Sequence, residues 1–249
     1  MNIRNRVALI TGSGSGIGKA IALKLAQLGV KVVINDIDEE KVERVNSEGR
    51  KYGEVLGIQA NVTNKEEVDG LFNQVIQEYG TIDILVNNVG IIRDRKIENM
   101  SEEDWDQVLN VNLKSYFLCS QAAAKIFMEK KYGRIINISS RAWLGGFGQA
   151  NYSAAKGGIV SLTRTLAIEL AKHHVTANCI APGLIDTPLY QSFRDDVKER
   201  LLKMQPIHRI GQPEEVANAV AFFASDDASY ITGQVLHVCG GKSLGANSF

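Results

Sequence analysis

The stretch Val7-Ala-Leu-Ile-Thr-Gly-Ser-Gly-Ser-Gly-Ile-Gly18 decides how this chain folds. Its first four residues are apolar without a break, as in a strand buried on both faces of a sheet. Glycines stand at 12, 14, 16 and 18, and from residue 19 to 28 the apolar positions recur with helical period. A glycine-rich turn between strand and helix offers backbone N–H groups and the positive end of the helix dipole to an anion, typically a pyrophosphate. The pattern is TGxxxGxG and not the commoner GxGxxG, so its position between strand and helix counts for more than its spacing. Gly12, Ser15, Gly16, Ile17 and Gly18 are the candidate phosphate-binding residues; the plain alternative is a tight strand–helix turn without ligand.

Working outward, short apolar runs alternate with longer helical patterns. The strand candidates are 7–10, 31–35, 55–60, 82–87, 133–139, 175–180 and 234–238. Between them lie helical patterns at 19–28, 39–48, 65–79, 102–130, 152–172 and 214–224. Thr63-Asn-Lys-Glu66 and Ser101-Glu-Glu-Asp104 read as helix-start capping boxes. Repeated βα alternation predicts an α/β fold with a Rossmann-type, doubly wound, seven-stranded parallel sheet, and ligands beyond the carboxyl ends of the strands. At 249 residues without a composition shift, a single domain over 1–249 is expected. The segment 183–212 lacks strong periodicity and is a candidate substrate lid.

The composition narrows the function. Lys plus Arg number 28 and Asp plus Glu number 28, which argues against a nucleic-acid binder driven by bulk charge. No apolar run approaches the ~20 residues of a membrane span, and the N-terminus leads straight into a strand, so a cytoplasmic protein without a signal peptide is expected. Cys119, Cys179 and Cys239 lie far apart with no CxxC pair, as buried thiols in a reducing compartment would. His173 and His174 end a helix, and His208 and His237 have no matching ligand set, so no metal site is expected.

Asp36 ends the second strand candidate about twenty residues after the glycine loop, where a carboxylate accepts both ribose hydroxyls of adenosine and repels a 2′-phosphate. The glycine loop carries Ser13 and Ser15 in its variable positions, with no Arg or Lys to meet that phosphate. NAD(H) is therefore expected over NADP(H). The alternative is that Asp36 only caps the next helix. Asn61 and Val62 follow the third strand, and Asn88 and Gly90 the fourth, where adenine and ribose belong; each is also an ordinary turn.

Tyr152 and Lys156, in Gly148-Gln-Ala-Asn-Tyr-Ser-Ala-Ala-Lys156, stand at i, i+4 on one helix face. A free tyrosine titrates near pH 10. A neighbouring ammonium and a positive nicotinamide ring would bring it toward working pH, making Tyr152 a general acid or base. Ser139-Ser140 end the fifth strand, Asn112 lies in a helix, and Pro182-Gly183 end the sixth strand.

With these companions the chain resembles the short-chain dehydrogenase/reductase family over essentially its whole length. TGSGSGIG, NNVG, NVNL, YSAAK, APGLIDT and ITGQVLHVCGG match in order. It is most similar to the 3-oxoacyl-[acyl-carrier-protein] reductases, through NNVGIIRD and GQANYSAAKGGI. The resemblance implies that Lys156 also binds the nicotinamide ribose and that Asn112 holds a water linking Lys156 to solvent. It implies that Thr187 and the Ile185 backbone fix the carboxamide, beside Pro182 and Gly183. The spacing usual in the family selects Ser139 as the serine that hydrogen-bonds the substrate oxygen, whereas the strand register selects Ser140. Ser140 is favoured, because a one-residue deletion is cheaper in a loop than a slip inside a buried strand. Relatives usually carry aspartate where Cys239 stands.

The implied activity is NADH-dependent reduction of a 3-oxoacyl thioester on acyl carrier protein or coenzyme A. The alternative is an NAD-dependent dehydrogenase of a secondary alcohol, polyol or sugar, which Asp36 strengthens because fatty-acid-synthesis relatives commonly use NADPH. A catalytically idle dinucleotide-binding protein is the remaining class. A homotetramer through helices 102–130 and 152–172 is implied by the resemblance. If the partner is an acidic acyl carrier protein, Arg93, Arg95, Lys130, Lys131 and Lys172 are the candidate basic rim at the active-site mouth.

Overall fold

β1 (Val7–Thr11) is buried along its whole length, and its side chains alternate between two cores. Ala8 and Ile10 face one side of the sheet, Val7 and Leu9 the other. An unbroken apolar run requires that two-sided cover. The same holds for β4 (Ile84–Asn87), β5 (Gly133–Ile138) and β6 (Val175–Pro182), in which every residue is buried. With β2 (Lys31–Asp36), β3 (Val55–Gln59) and β7 (Val235–Val238) they form one seven-stranded sheet, every pair parallel, in the order β3-β2-β1-β4-β5-β6-β7. This architecture is that of a computed structural model, which describes residues 2–244. Met1 and residues 245–249, the two ends of the expected domain, lie outside the described residues.

α1 (Gly16–Gln27), α2 (Glu39–Gly49) and α9 (Pro213–Ala224) cover one face of the sheet. α3 (Lys65–Tyr79), α5 (Ser115–Lys130) and α6 (Ala150–Leu170) cover the other. Each fully buried Val, Ile or Leu contributes roughly 1.5–3 kcal/mol, so these two apolar layers are the main stabilisation of the fold. The expected doubly wound parallel sheet is the one observed. Among the described residues, no helix is long and apolar enough to cross a membrane.

Three local expectations need correction. The helix expected over 102–130 is α4 (Glu102–Leu109) and α5, joined by a single π-helical segment at Asn110–Lys114. Such a segment inserts extra backbone into a helix, often at a functional site, without disturbing the apolar period on either side. The first turn of α3 is capped by Asn64, whose side chain accepts from Glu67 N, and not by Thr63, whose hydroxyl turns back to Asn61. Ser101 does cap α4, accepting from Asp104 N. The aperiodic segment 183–212 contains two helices, α7 (Pro188–Gln191) and α8 (Asp195–Lys203). Neither buries a residue, and both are short.

Candidate active site

Strand order reverses between β1 and β4, so the loops leaving these strands diverge and open a crevice at their C-terminal ends. The glycine loop lines it. Gly12 has a left-handed backbone, φ 61°, and Gly18 lies so close to the Gly12 carbonyl and the Asn88 side chain that a Cβ would collide with both. Asn88 donates to the carbonyls of Thr11 and Gly12 at 3.2 and 2.9 Å, fastening the loop to the end of β4. Ser15 precedes α1 in extended conformation, and its side chain makes no capping bond. The N–H donors that every helix leaves unpaired in its first turn, here from Gly16, Ile17 and Gly18, therefore stay open to an anion. That arrangement fits a pyrophosphate.

Asp36 turns into this loop. Its Oδ2 accepts from Gly14 N at 3.0 Å and its Oδ1 from Asp38 N at 3.3 Å. Asp38 is the cap of α2, accepting from Lys41 N, so Asp36 does not serve as that cap. Cations do approach, but from α2: Arg44 donates to the Gly14 carbonyl at 3.2 Å, and Lys41 pairs with Asp38 at 2.9 Å. Asn61 and Val62 lie beside Asp36, because Ala60 N donates to the Asp36 carbonyl; Asn61 accepts from both Thr63 donors and Val62 is buried. Pro182 ends β6, and Gly183 N donates to the Val238 carbonyl. Ile185 is buried and bridges to Gly211. Thr187 caps α7, and its methyl group lies 3.6 Å from where a Cβ on Gly16 would stand, so the start of segment 183–212 reaches the glycine loop.

The second half of the crevice carries titratable groups. Tyr152 and Lys156 sit one turn apart on α6, whose start is pinned by buried Asn151. Asn151 donates to the Arg93 and Asp104 carbonyls and accepts from Tyr152 N at 2.7 Å. Ser139 and Ser140 face different ways. The Ser139 hydroxyl is buried and donates to the Lys156 carbonyl at 2.8 Å. The Ser140 hydroxyl lies beside the Tyr152 phenol and accepts from Ala142 N at 3.1 Å, capping a short 3₁₀ turn at Arg141–Leu144. Asn112, inside the π-helical segment, spends its side chain on Ile91, accepting from its N–H at 2.8 Å and donating to its carbonyl at 2.9 Å. Gly90 joins the two halves: a Cβ there would stand 3.5 Å from Lys156 Nζ and 3.6 Å from Asn112 Oδ1.

Burial sets the charges. It pushes the Tyr152 phenol up to about 12, against the Ser140 hydrogen bond and reinforced by the Asp94 carboxylate. It pulls the Lys156 ammonium down to about 8, opposed by Cys179. The expected depression of Tyr152 by Lys156 is therefore not produced by the chain alone, the ammonium lying 5.6 Å from the ring centroid. At neutral pH the phenol is protonated and beside a hydroxyl, ready to give a proton to an oxygen placed between Ser140 and Tyr152.

Asp94, Asn151 and Tyr116 also belong to this neighbourhood: the first two lie inside NNVGIIRD and GQANYSAAKGGI without an assigned role, and Tyr116 lies in no motif. A polar ladder also crosses beneath it. Asn87 donates to Asn137, its register partner, and Asn137 donates to Thr163 on α6. The available signal was an asparagine near the end of each of two largely apolar strands, Asn87 in β4 and Asn137 in β5. The proposed basic rim is not at the mouth on this copy. Lys130 and Lys131 end α5 just before β5 begins, at the opposite edge of the sheet, and Lys172 similarly precedes β6. Lys130 is moreover engaged with Asp83 and Thr81. Arg93 and Arg95 do lie by the crevice, bonded to Gln107 and to the Asp94 carbonyl. Cys239 packs against Gly183, with its Sγ in contact with Ser243. Among the described residues, no group of three or more His, Cys, Asp or Glu could hold a metal ion.

Known proteins carry the same plan. The family model described as enoyl-(acyl carrier protein) reductase matches residues 12–243. The chain is 53% identical over 245 residues to the (2S)-[(R)-hydroxy(phenyl)methyl]succinyl-CoA dehydrogenase subunit BbsD of Thauera aromatica, covering 98% of this chain and 99% of that one. It is 42% identical over 243 residues to the 3-oxoacyl-[acyl-carrier-protein] reductase FabG of Thermotoga maritima, covering 97% and 99%. The crystal structure of levodione reductase superposes with a TM-score of 0.94 at 34% identity, covering 98% of this chain and 100% of that one. The chain belongs to the short-chain dehydrogenase/reductase family, oxidoreductases that act on CH–OH and C=O groups with a nicotinamide cofactor.

Proposed function

We propose that this enzyme interconverts a 3-oxoacyl and a 3-hydroxyacyl thioester with NAD(H). The reading rests first on the Ser140 hydroxyl beside the Tyr152 phenol, two hydroxyls able to meet one substrate oxygen. In reduction Tyr152 gives its proton to that oxygen; in oxidation it takes the proton back. Ser140 holds the oxygen in place and stabilises charge developing on it. Lys156 and Asn112 form the floor beneath. The cofactor, when bound, supplies or accepts the hydride. Gly12, Ser15, Gly16, Ile17 and Gly18 would hold its pyrophosphate, Asp36 its adenosine ribose, and Ile185 and Thr187 its carboxamide. NAD(H) over NADP(H) is supported by the Asp36 carboxylate in the loop.

The thioester is supported by what the names of two relatives share. One is a hydroxyl-bearing succinyl-CoA, the other a 3-oxoacyl group on a carrier protein, and each places the reacting carbon near a thioester. Coenzyme A is favoured over a carrier protein because Lys130, Lys131 and Lys172 lie at the far edge of the sheet. A secondary alcohol, polyol or sugar is the second reading, favoured by the likeness to levodione reductase and to a putative gluconate dehydrogenase from Agrobacterium tumefaciens, which is 34% identical with a TM-score of 0.93. Exposed Phe117 and Met128 on α5 and Ile168 on α6 support a homotetramer that buries these helices.

The experiment is a panel of acetoacetyl-CoA, its carrier-protein ester and small secondary alcohols, each with NAD(H) and NADP(H), with Tyr152→Phe as control. The thioesters should have the highest kcat/KM, and Tyr152→Phe should lower kcat by at least ~100-fold. Higher kcat/KM on the small alcohols would give the second reading the site; a Tyr152→Phe enzyme retaining a tenth of the rate would remove Tyr152 as the acid.

A further inference from the structure

Lys156 is buried, and its ammonium has three N–H groups to place. Nζ lies 3.0 Å from the Ile138 carbonyl and 3.4 Å from the Tyr116 hydroxyl. Tyr116, on α5 and 0% exposed, donates its own proton to the same Ile138 carbonyl at 2.9 Å. Its oxygen is therefore left to accept from Lys156. The rings of Tyr116 and Tyr152 both flank the ammonium, with centroids 5.2 and 5.6 Å from Nζ. Two of the three N–H groups are thus directed at the floor and one is left for the crevice, where Gly90 leaves room above it.

We propose that Tyr116 is a positioning residue for the reaction: it fixes the Lys156 ammonium from below so that one N–H faces the crevice beside Tyr152. The proposal rests on the reading of Tyr152 and Lys156 as the reacting pair. It concerns a residue that no motif in the sequence marks and that touches neither substrate nor cofactor.

The neighbours leave this role to Tyr116. From β6, Cys179 faces Lys156. From β5, the Ser139 hydroxyl is spent on the Lys156 carbonyl. From the π-helical segment, Asn112 is spent on Ile91. From the loop after β4, Asp94 acts on Tyr152 and bonds to Gln149. Among the described residues, the side-chain oxygen within hydrogen-bond reach of the ammonium is that of Tyr116. A hydrogen bond to the charged form favours it. Without the Tyr116 oxygen, burial would depress Lys156 further, so the ammonium beside Tyr152 would be lost at a lower pH.

Tyr116→Phe tests this while keeping the ring in the core. The Ile138 carbonyl would retain its bond from Lys156, so no buried acceptor is orphaned. Lys156 ionisation is read from the Nζ shift of isotope-labelled lysine by NMR, as the difference between proteins with and without Lys156→Met. The midpoint should move down, by up to about one pH unit for the loss of one hydrogen bond to the charged form. In parallel, kcat for alcohol oxidation relative to wild type should fall as pH rises and recover at lower pH, with KM for NAD⁺ changed less than about twofold. Tyr116→Met, which fills the space without an oxygen, should behave alike, and serves if the phenylalanine variant does not fold. An unmoved midpoint overturns the proposal. So does a loss of kcat that is independent of pH and tracks a lower melting temperature, which would mark a packing role alone. The lysine titration needs no substrate, so failure of the thioester reading appears separately, as a wild-type enzyme inactive on the thioester panel.

Discussion

Replacing Asp36 by alanine should abolish the preference for NADH over NADPH. In the folded protein the carboxylate accepts from Gly14 N and Asp38 N. That occupies two of its roughly four acceptor positions and leaves the others for ribose hydroxyls. A 2′-phosphate placed there would bring a second anion within about 4 Å, where each pair of unit charges repels by about 4 kcal/mol at an effective dielectric of 20. Asp36 is only partly buried, and Lys41 and Arg44 stand close by, so the net discrimination is reduced to about 2–3 kcal/mol, roughly 30- to 150-fold in kcat/KM. Alanine removes charge-assisted bonds worth about 1.5–3 kcal/mol to NADH and leaves the two cations facing the phosphate. The ratio of kcat/KM values should therefore shift by at least ~100-fold toward NADPH. The assay is initial rates with each cofactor at one ionic strength, since salt screens this contrast. Asp36→Asn, which keeps the shape without the charge, should fall between. Equal use of both cofactors by wild type, or a ratio in Asp36→Ala within about threefold of wild type, would show that the carboxylate does not face the ribose.

Ser140→Ala should lower kcat about 10²- to 10³-fold with the fold intact, as loss of a group stabilising the oxyanion does. Ser139→Ala should act mainly on stability, by about 1 kcal/mol, because its hydroxyl holds the Lys156 carbonyl; a larger fall in kcat for Ser139→Ala would move the catalytic role one residue back. At the opposite edge of the sheet, Asp83 is 3% exposed and accepts from Val7 N and Lys130, with Arg6 at 3.7 Å. Asp83→Ala should destabilise by about 3–5 kcal/mol in urea titrations, by leaving Lys130 and the Val7 amide without their buried acceptor, while Asp83→Asn should cost less; a loss below about 1 kcal/mol for the alanine would show that the network is not needed.

Apolar runs and glycine spacing carry the fold because they act on every residue of an element. A parallel strand buried on both faces has to be mostly apolar, with any polar side chain hydrogen-bonded, and β1, β4, β5 and β6 are buried throughout. What those patterns miss depends on single hydrogen bonds. The π-helical segment at Asn110–Lys114 is one backbone shift inside a continuous apolar period, and Asn112 is oriented by Ile91, a residue from another element. Tyr116 reads as an ordinary core aromatic until α5 is packed beside β5 and α6. The two serines differ for a reason that could be read, since neighbouring residues at a strand end face opposite ways. Ser139 turns to the Lys156 carbonyl and Ser140 to Tyr152. The rim of lysines was misplaced for a reason equally legible. In a parallel sheet each crossover helix runs back against its strands, so the helix C-terminus lies at the edge where the next strand begins. Lys130, Lys131 and Lys172 all sit at helix ends immediately before a strand, and that direction alone puts them opposite the crevice. A basic surface at the mouth must then be built from Arg93 and Arg95 of this copy, or brought there by the far end of another.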